Sequence, residues 1–176
     1  MRRRRRKLPA TLVLALIAAV AVLALRDGDD ATRGQPLPTA PGDARTARVE
    51  RVVDGDTVRL RGIGPVRLIG IDTPETHGGR TECFGPEATR YVEGLLPRGA
   101  EVRYVVGEDP RDRYGRLLVY LYTPDGAALN HVLVSAGYAT TLTIPPNDRY
   151  ARSFEQAERA ARRGKSGMWA KPGCAG

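Results

Sequence analysis

Metal-binding side chains other than carboxylates are scarce in this sequence. Its 176 residues include only two cysteines, Cys83 and Cys174, and two histidines, His77 and His131. Zinc sites in proteins are built mainly from several such side chains gathered around one ion. The composition therefore argues against a zinc enzyme.

The chain also lacks a collagen-type repeat and any internal repeat. Hydrophobic residues make up 41% of it, which excludes a disordered acidic tail. Its 20 glycines and 13 prolines indicate many turns and so exclude a long helical rod. Length and composition together predict one ordinary domain with some extra sequence.

Basic residues outnumber acidic ones, with 28 Lys and Arg against 20 Asp and Glu and a net charge of +8. Half of this excess lies in residues 1–44, which hold eight basic and four acidic residues. The rest of the chain is only mildly basic. That charge is compatible with an anionic partner such as nucleic acid, without requiring one.

The N-terminus has the pattern of an export segment. Cationic residues 2–7 precede residues 8–25, which carry no charge. As a helix, the uncharged stretch would extend about 27 Å, close to the hydrocarbon thickness of a bilayer. Small-residue patterns ending at Ala21 and Ala24 leave a cleaved signal peptide and a retained anchor both open. In either case we expect everything after Leu25 to be extracytoplasmic, anchored to the membrane or secreted.

The rest of the chain divides into three parts. Residues 26–47 have no helical or strand periodicity and are predicted to form a flexible linker. Residues 48–170 are predicted to form the domain, and 171–176 a C-terminal tail. Within the domain, periodicity predicts three strands, a helix, two strands and two helices, at residues 49–53, 57–61, 66–71, 86–96, 102–106, 116–122, 129–136 and 150–164. This order predicts an α+β protein built on a small β-barrel.

Two aspartates mark the hairpin that we expect to carry the chemistry. Asp56 starts one strand and Asp72 ends the next, so the hairpin brings both to one end. Two converging carboxylates repel each other unless a cation lies between them. Oxygen ligands without Cys or His favour Ca²⁺ over a transition metal. Taken alone, each aspartate is more typical of an ordinary turn residue than of a metal ligand, and this is the alternative interpretation.

Basic and aromatic residues are expected near the same end. Arg67 precedes Asp72 by five residues, so in a regular strand its side chain would lie on the opposite side, at the surface or in a pocket. Arg113, Tyr114 and Arg116 lie on a loop that enters a buried strand. Cations beside an aromatic ring suit a phosphodiester and its base. Solvated loop charges are the alternative for Arg113 and Arg116.

Four separated motifs resemble the staphylococcal nuclease (thermonuclease) family. In order they are Val-Val-Asp-Gly-Asp-Thr-Val, Arg-Leu-Ile-Gly-Ile-Asp-Thr-Pro-Glu-Thr, Phe-Gly-Pro-Glu-Ala and Asp-Arg-Tyr-Gly-Arg. The resemblance covers residues 48–169, nearly the whole globular part. It implies a five-stranded OB-fold β-barrel with three helices. It also implies a Ca²⁺-dependent phosphodiesterase that acts on DNA and RNA and leaves 3′-phosphate and 5′-hydroxyl ends.

The resemblance implies a metal site and a base. Asp56 and Asp72 match the calcium carboxylates of the family, with the backbone carbonyl of Thr73 as a further ligand. Glu75 matches the carboxylate proposed to act as general base on the attacking water.

The resemblance also implies a substrate site. Arg67 and Arg116 match the pair that holds the phosphate. Arg113 stands where the family often has lysine, and Tyr114 matches a ring at the nucleotide site. Residues 140–144 lack the tyrosines that the founding member places near the nucleotide, so base stacking there is expected to be weaker.

A non-catalytic, membrane-tethered OB module that binds nucleic acid is the rival function. Degenerate members of the family lose acidic or arginine positions, whereas this sequence retains all of them, which favours the enzyme. The expected partners are a DNA or RNA substrate and, if the N-terminal segment is uncleaved, the membrane; no protein partner is inferred.

The two cysteines are an even pair in a chain expected to be exported. Such a pair favours a disulfide between Cys83 and Cys174. Two free thiols are the alternative.

Overall fold

A computed structural model of the chain describes residues 39–76 and 81–174. The elements in these ranges are β1 (Arg45–Val52), β2 (Thr57–Leu60), β3 (Gly64–Leu68), β4 (Gly70–Asp72), α1 (Gly85–Leu95), β5 (Glu101–Arg111), β6 (Leu117–Tyr122), α2 (Leu129–Ser135), β7 (Thr140–Leu142), α3 (Ala151–Gly164) and a 3-10 helix (Gly167–Ala170). The predicted signal or anchor segment, 1–25, and linker residues 26–38 lie outside the described residues. None of the helices within the described ranges has the length and apolar character needed to cross a membrane.

Five strands close into a barrel in the order β1-β2-β3-β6-β5. Strand β1 pairs antiparallel with both β2 and β5, and β3 pairs parallel with β6. Side chains that alternate along these strands fill the interior: Val49, Val58, Leu60, Val66 and Val119 are all fully buried. The predicted α+β architecture, a five-stranded barrel with three helices, is confirmed.

The barrel begins inside the stretch predicted to be linker. Strand β1 starts at Arg45, which pairs with Tyr104 of β5. Upstream of it, Thr39 forms a bridge with Ala127. Residues 45–48 pair with β5 to close the barrel, and a composition-based prediction does not take such pairing into account. The linker is therefore shorter at its C-terminal end than predicted.

The predicted strand over residues 66–71 is interrupted, and the break determines where the side chains of Arg67 and Asp72 lie. Gly70 has a φ of +78°, and an added Cβ would lie 2.7 Å from the ring of Phe154. The chain leaves the barrel at this point, and β4 pairs with β7 in a separate two-stranded sheet. The break changes the side-chain alternation, so the prediction that Arg67 and Asp72 point to opposite sides is wrong.

The C-terminal segment packs against the start of α1. Met168 is 1% exposed, and Lys171 Nζ lies 2.9 Å from Glu87 Oε1. Cys83 and Cys174, which are 91 residues apart in sequence, form a disulfide with their Cα atoms 5.0 Å apart. The segment predicted to be a tail is therefore held by covalent and ionic contacts up to Cys174.

Asn130 of α2 satisfies backbone groups where β3 ends and β6 passes through the core. Its Oδ1 accepts the N–H of Leu121 at 3.0 Å. Its Nδ2 donates to the carbonyl oxygens of Ile69 and Val119 at 2.9 and 3.3 Å. Buried polar groups require such partners, so Asn130 allows the chain to leave the barrel at Gly70.

Asn130→Ala should lower the free energy of unfolding by about 3 kcal/mol, because it leaves several buried backbone groups without partners. Urea unfolding followed by circular dichroism measures this change. Ser135→Ala, an exposed change on the same helix, is the control and should be nearly neutral. Equal stabilities of the two variants would contradict the role assigned to Asn130.

Candidate active site

The turn between β1 and β2 holds Asp56 in place. The backbone N–H of Asp56 donates to Asp54 Oδ1 at 3.1 Å. Gly55 packs so closely on Thr73 that an added Cβ would lie 2.7 Å from Thr73 Oγ1. This close approach lets the Thr73 N–H and Oγ1 donate to Asp56 Oδ2 at 3.1 and 3.2 Å. The turn and the segment after β4 are thereby joined through Asp56.

Arg67 joins the two aspartates. Its Nε lies 3.0 Å from Asp56 Oδ1, and its Nη2 donates to Asp72 Oδ1 at 2.8 Å. Its Nη1 donates to the carbonyl oxygens of Leu68 and Ile71 at 2.6 and 2.8 Å. The structure thus brings the two carboxylates together at the end of the hairpin. The positive charge between them is a guanidinium of the chain itself.

Arg116 reaches the same network from the loop before β6. Its Nε donates to Asp112 Oδ2 at 2.7 Å and its Nη1 donates to Thr57 Oγ1 at 3.2 Å. Thr57 in turn donates to Asp56 Oδ1 at 3.1 Å. Asp112 Oδ1 accepts the backbone N–H groups of Tyr114 and Arg116, each at 2.9 Å, which folds the loop around this carboxylate. One polar network therefore connects Arg116 to Asp56.

A cavity of about 510 Å³ opens beside the two arginines and is lined by both of them. Exposed apolar side chains also line it: Tyr114, Leu142 and Ile144. The guanidinium carbons of Arg113 and Arg116 lie 5.0 and 5.5 Å from the centroid of the Tyr114 ring. Cations next to apolar surface in one cavity suit the phosphate and the base of a nucleotide.

A family model described as staphylococcal nuclease homologue matches residues 65–171. The chain belongs to the staphylococcal nuclease family. The thermonuclease of Staphylococcus intermedius is 33% identical over 165 residues, which are 90% of this chain and 94% of that protein. The thermonuclease of Staphylococcus hyicus is 30% identical over 164 residues, 90% of this chain and 96% of that protein. Endonuclease YhcR of Bacillus subtilis is 34% identical over 148 residues, 77% of this chain but only 12% of that protein.

Both aspartates of the site have raised pKa values, and burial is the main cause. Burial raises the pKa of Asp56 to about 6, although Arg67 opposes the shift. Burial also raises the pKa of Asp72, again against Arg67, and Glu82 adds to the rise. Asp54 raises the pKa of both aspartates. A cation bound between the two carboxylates would lower both pKa values.

The donors present fit a hard divalent cation. Asp56 and Asp72 supply carboxylate oxygens, and the Thr73 carbonyl is the further ligand that family resemblance implies. Across residues 39–76 and 81–174, no group of three or more Asp, Glu, His or Cys side chains is placed to hold a metal. A metal here would rest on two carboxylates, a carbonyl and water, all oxygen ligands of the kind that Ca²⁺ takes. The side chain of Asp72 is 50% exposed, which leaves room for water.

Glu75 makes no described contact with this network, and the contacts described for it are those of its backbone with Glu82. Its N–H donates to Glu82 Oε2 at 3.0 Å, and its carbonyl accepts the Glu82 N–H at 2.8 Å. Of the residues singled out from the sequence, the network joins Asp56, Asp72, Thr73, Arg67 and Arg116, while Arg113 and Tyr114 line the cavity.

The structure adds residues that the sequence patterns do not single out: Asp54, Thr57, Glu82 and Asp112. An Asp-Gly turn predicts a hairpin and says nothing of a ligand, so Asp54 is missed. The signal that points to a larger acidic cluster is the pair of aspartates, Asp54 and Asp56, on either side of Gly55. This pair lies in a turn that is followed by a strand. The contact of Glu82 with the Glu75 backbone closes a loop, and no spacing rule predicts it. The contacts of Asp112 are local, to Tyr114 and Arg116 of the same motif.

The raised pKa of Asp56 should make the metal-free protein more stable as the pH falls. Its folded-state value of about 6 exceeds the value of about 4 for an unfolded aspartate, so the folded protein binds the proton more tightly between these limits. The free energy of unfolding of the wild type, relative to Asp56→Asn, should rise by about 2 kcal/mol from pH 7 to pH 4. Urea unfolding of both proteins in a chelator, at both pH values, measures this difference. Parallel pH dependences would contradict the assignment.

Proposed function

We propose that this protein is a calcium-dependent nuclease that hydrolyses DNA, RNA or both outside the cytoplasm and leaves 3′-phosphate and 5′-hydroxyl ends. Its class, a nuclease and therefore a hydrolase, follows from its membership of the staphylococcal nuclease family. The observation that carries the proposal is the network in which Arg67 joins Asp56 and Asp72 beside the arginine-lined cavity. The cationic and apolar N-terminal pattern supports the location.

Arg116 is the guanidinium with more capacity to bind the scissile phosphate. A guanidinium carries five N–H donors, and the side-chain contacts described for Arg116 use two of them, to Asp112 and Thr57. Arg67 has four of its donors directed at protein oxygens. We therefore assign phosphate binding mainly to Arg116. Arg67 holds the two carboxylates in place and adds positive charge near the phosphate.

Hydrolysis joins the oxygen of a water molecule to phosphorus and breaks the bond between phosphorus and the 5′ oxygen. Glu75 accepts the proton that the water loses. The 5′ oxygen leaves with the bonding electron pair and takes up a proton from solvent, and the phosphate remains on the 3′ oxygen. Asp56, Asp72 and the Thr73 carbonyl would hold Ca²⁺, which would supply Lewis-acid stabilisation for the negative charge that develops on the phosphate.

The rival function is a non-catalytic, membrane-tethered module that binds nucleic acid. Such a module needs a basic surface but has no use for two carboxylates, one of them buried, that share one guanidinium. Asp56 and Asp72 keep raised pKa values at a cost to stability. That cost is expected at a catalytic metal site and favours the enzyme.

Digestion of single-stranded DNA and of RNA by the purified full-length chain tests the proposal. We expect cleavage with Ca²⁺, loss of cleavage in EGTA and recovery when excess Ca²⁺ is added back. The products should accept phosphate from a polynucleotide kinase without prior phosphatase treatment, because their 5′ ends carry hydroxyl groups. Cleavage that persists in EGTA would contradict calcium dependence. Binding of the nucleic acid without cleavage would support the rival module.

Fractionation of cells tests the location. We expect the protein in the membrane fraction if the N-terminal segment is retained, or in the medium if it is cleaved. Protein that remains in the soluble cytoplasmic fraction would contradict export.

A further inference from the structure

One residue, Glu82, holds the backbone of Glu75 on both sides. The Glu82 N–H donates to the Glu75 carbonyl at 2.8 Å, and Glu82 Oε2 accepts the Glu75 N–H at 3.0 Å. Gly85 packs on the same carbonyl so closely that an added Cβ would lie 2.7 Å from its oxygen. Because the N–H and the carbonyl flank the Cα atom, fixing both sets the direction in which the Glu75 side chain leaves the backbone.

Glu82 is followed directly by a covalent link to a different part of the fold. Cys83 forms its disulfide with Cys174 in the C-terminal segment. That segment is itself packed on the domain, since the Met168 N–H donates to the Gly137 carbonyl at 2.9 Å and the Met168 side chain is 1% exposed. The disulfide therefore connects the Glu75–Glu82 pair to a firmly packed region.

A second link joins the C-terminal segment to α1 and offers a comparison. Lys171 Nζ lies 2.9 Å from Glu87 Oε1 and 5.0 Å from the centroid of the Phe84 ring. This ionic link reaches the helix, whereas the covalent link reaches the residue next to Glu82. If the C-terminal segment only stabilises the fold, loss of the ionic link and loss of the disulfide should both lower the free energy of unfolding. Only loss of the disulfide should change the position of Glu82.

We infer that the Cys83–Cys174 disulfide is a positioning link for Glu75 and acts through Glu82. The inference rests on the proposed function, in which Glu75 accepts the proton of the attacking water. Without the covalent link, Glu82 and the Glu75 backbone lose their fixed position relative to Asp72. A displacement of about 1 Å at a reacting group can lower the rate about a hundredfold. A purely structural disulfide would leave kcat of the folded protein unchanged.

Reduction of the full-length protein tests this role. A dithiol such as dithiothreitol passes two electrons and two protons to the disulfide, which gives two cysteine thiols and the cyclic disulfide of the reductant. Intact mass should rise by two hydrogen atoms. We expect kcat for single-stranded DNA with Ca²⁺ to fall about 10- to 100-fold, with KM within about threefold. The double variant Cys83→Ser/Cys174→Ser should show the same loss and no further response to dithiothreitol.

Three single variants of the oxidised protein separate positioning from stability. Glu82→Ala should reproduce the fall in kcat. Glu82→Gln should recover most of it, because an amide oxygen can still accept the Glu75 N–H. Lys171→Met removes the ion pair with Glu87 and the cation–π contact with Phe84 but keeps the disulfide, so it should leave kcat unchanged. A normal kcat in the double serine variant, an equal loss in Lys171→Met, or no recovery in Glu82→Gln would each overturn the inference.

Hydrogen exchange of the Glu75 amide provides a readout that does not depend on activity. Protection of this amide should decrease on reduction and in Glu82→Ala, and should persist in Lys171→Met. Unchanged protection after reduction would overturn the inference even if kcat fell. An oxidised wild type that fails to cleave nucleic acid with Ca²⁺ would overturn the proposed function instead, and the exchange measurement would still decide whether the disulfide positions Glu75.

Discussion

Arg67→Lys should lower kcat/KM for single-stranded DNA by about a thousandfold at saturating Ca²⁺. Lysine keeps the positive charge, but a single ammonium cannot serve Asp56, Asp72 and the carbonyl oxygens of Leu68 and Ile71, which the guanidinium contacts together. The two carboxylates then lose their shared anchor, and two backbone carbonyls lose their donor. Steady-state kinetics of the purified variant measures this loss.

Arg116→Lys is the matched control because it makes the same exchange in the same network. Arg116 contacts one carboxylate and one hydroxyl through its side chain, so the replacement disturbs fewer acceptors. Arg116→Lys should lower kcat by about a hundredfold. The free energy of unfolding without metal should drop by about 1–3 kcal/mol in Arg67→Lys and change little in Arg116→Lys. Equal losses of stability in the two variants would contradict the organising role of Arg67.

Glu75→Gln should lower kcat about 10²- to 10⁴-fold, because an amide cannot accept the proton of the attacking water. KM and calcium affinity should change little. Glu75 is absent from the proposed ligands, and its described contacts are made by backbone atoms that the substitution keeps. Single-turnover cleavage of DNA and calorimetric titration with Ca²⁺ measure the two quantities separately.

Glu93→Gln provides the control for this substitution. Glu93 is exposed on α1, carries the same functional group and lies outside the site, so its replacement should leave kcat unchanged. A wild-type kcat in Glu75→Gln would assign proton transfer to another group. A large loss of calcium affinity in that variant would mean that Glu75 is a ligand.

The barrel could be predicted from the sequence because its strands alternate buried and exposed residues and its turns carry glycine and proline. The small sheet of β4 and β7 could not. Its strands contain three residues each, Gly70–Asp72 and Thr140–Leu142, which is too short for a periodic signal. The strand break at Gly70 depends on the ring of Phe154, and local sequence carries no information about that contact.

The site was predictable in its composition and only partly in its arrangement. Hairpin geometry led to the expectation that Asp56 and Asp72 converge. The same reasoning put Arg67 on the wrong side, because it assumed an unbroken strand. Glu82 accepts the Glu75 N–H across a loop, so its contact became recognisable only in the folded chain. Asp112 contacts Arg116 within its own loop.

Part of the cavity wall lies outside the closed barrel. Leu142 and Ile144 come from β7 and the residues after it, outside the closed barrel. They face the cavity with exposed side chains and contribute nothing to the barrel interior. Substitution of these two residues can therefore change the shape of the cavity wall while the ion pairs around Arg67 are kept.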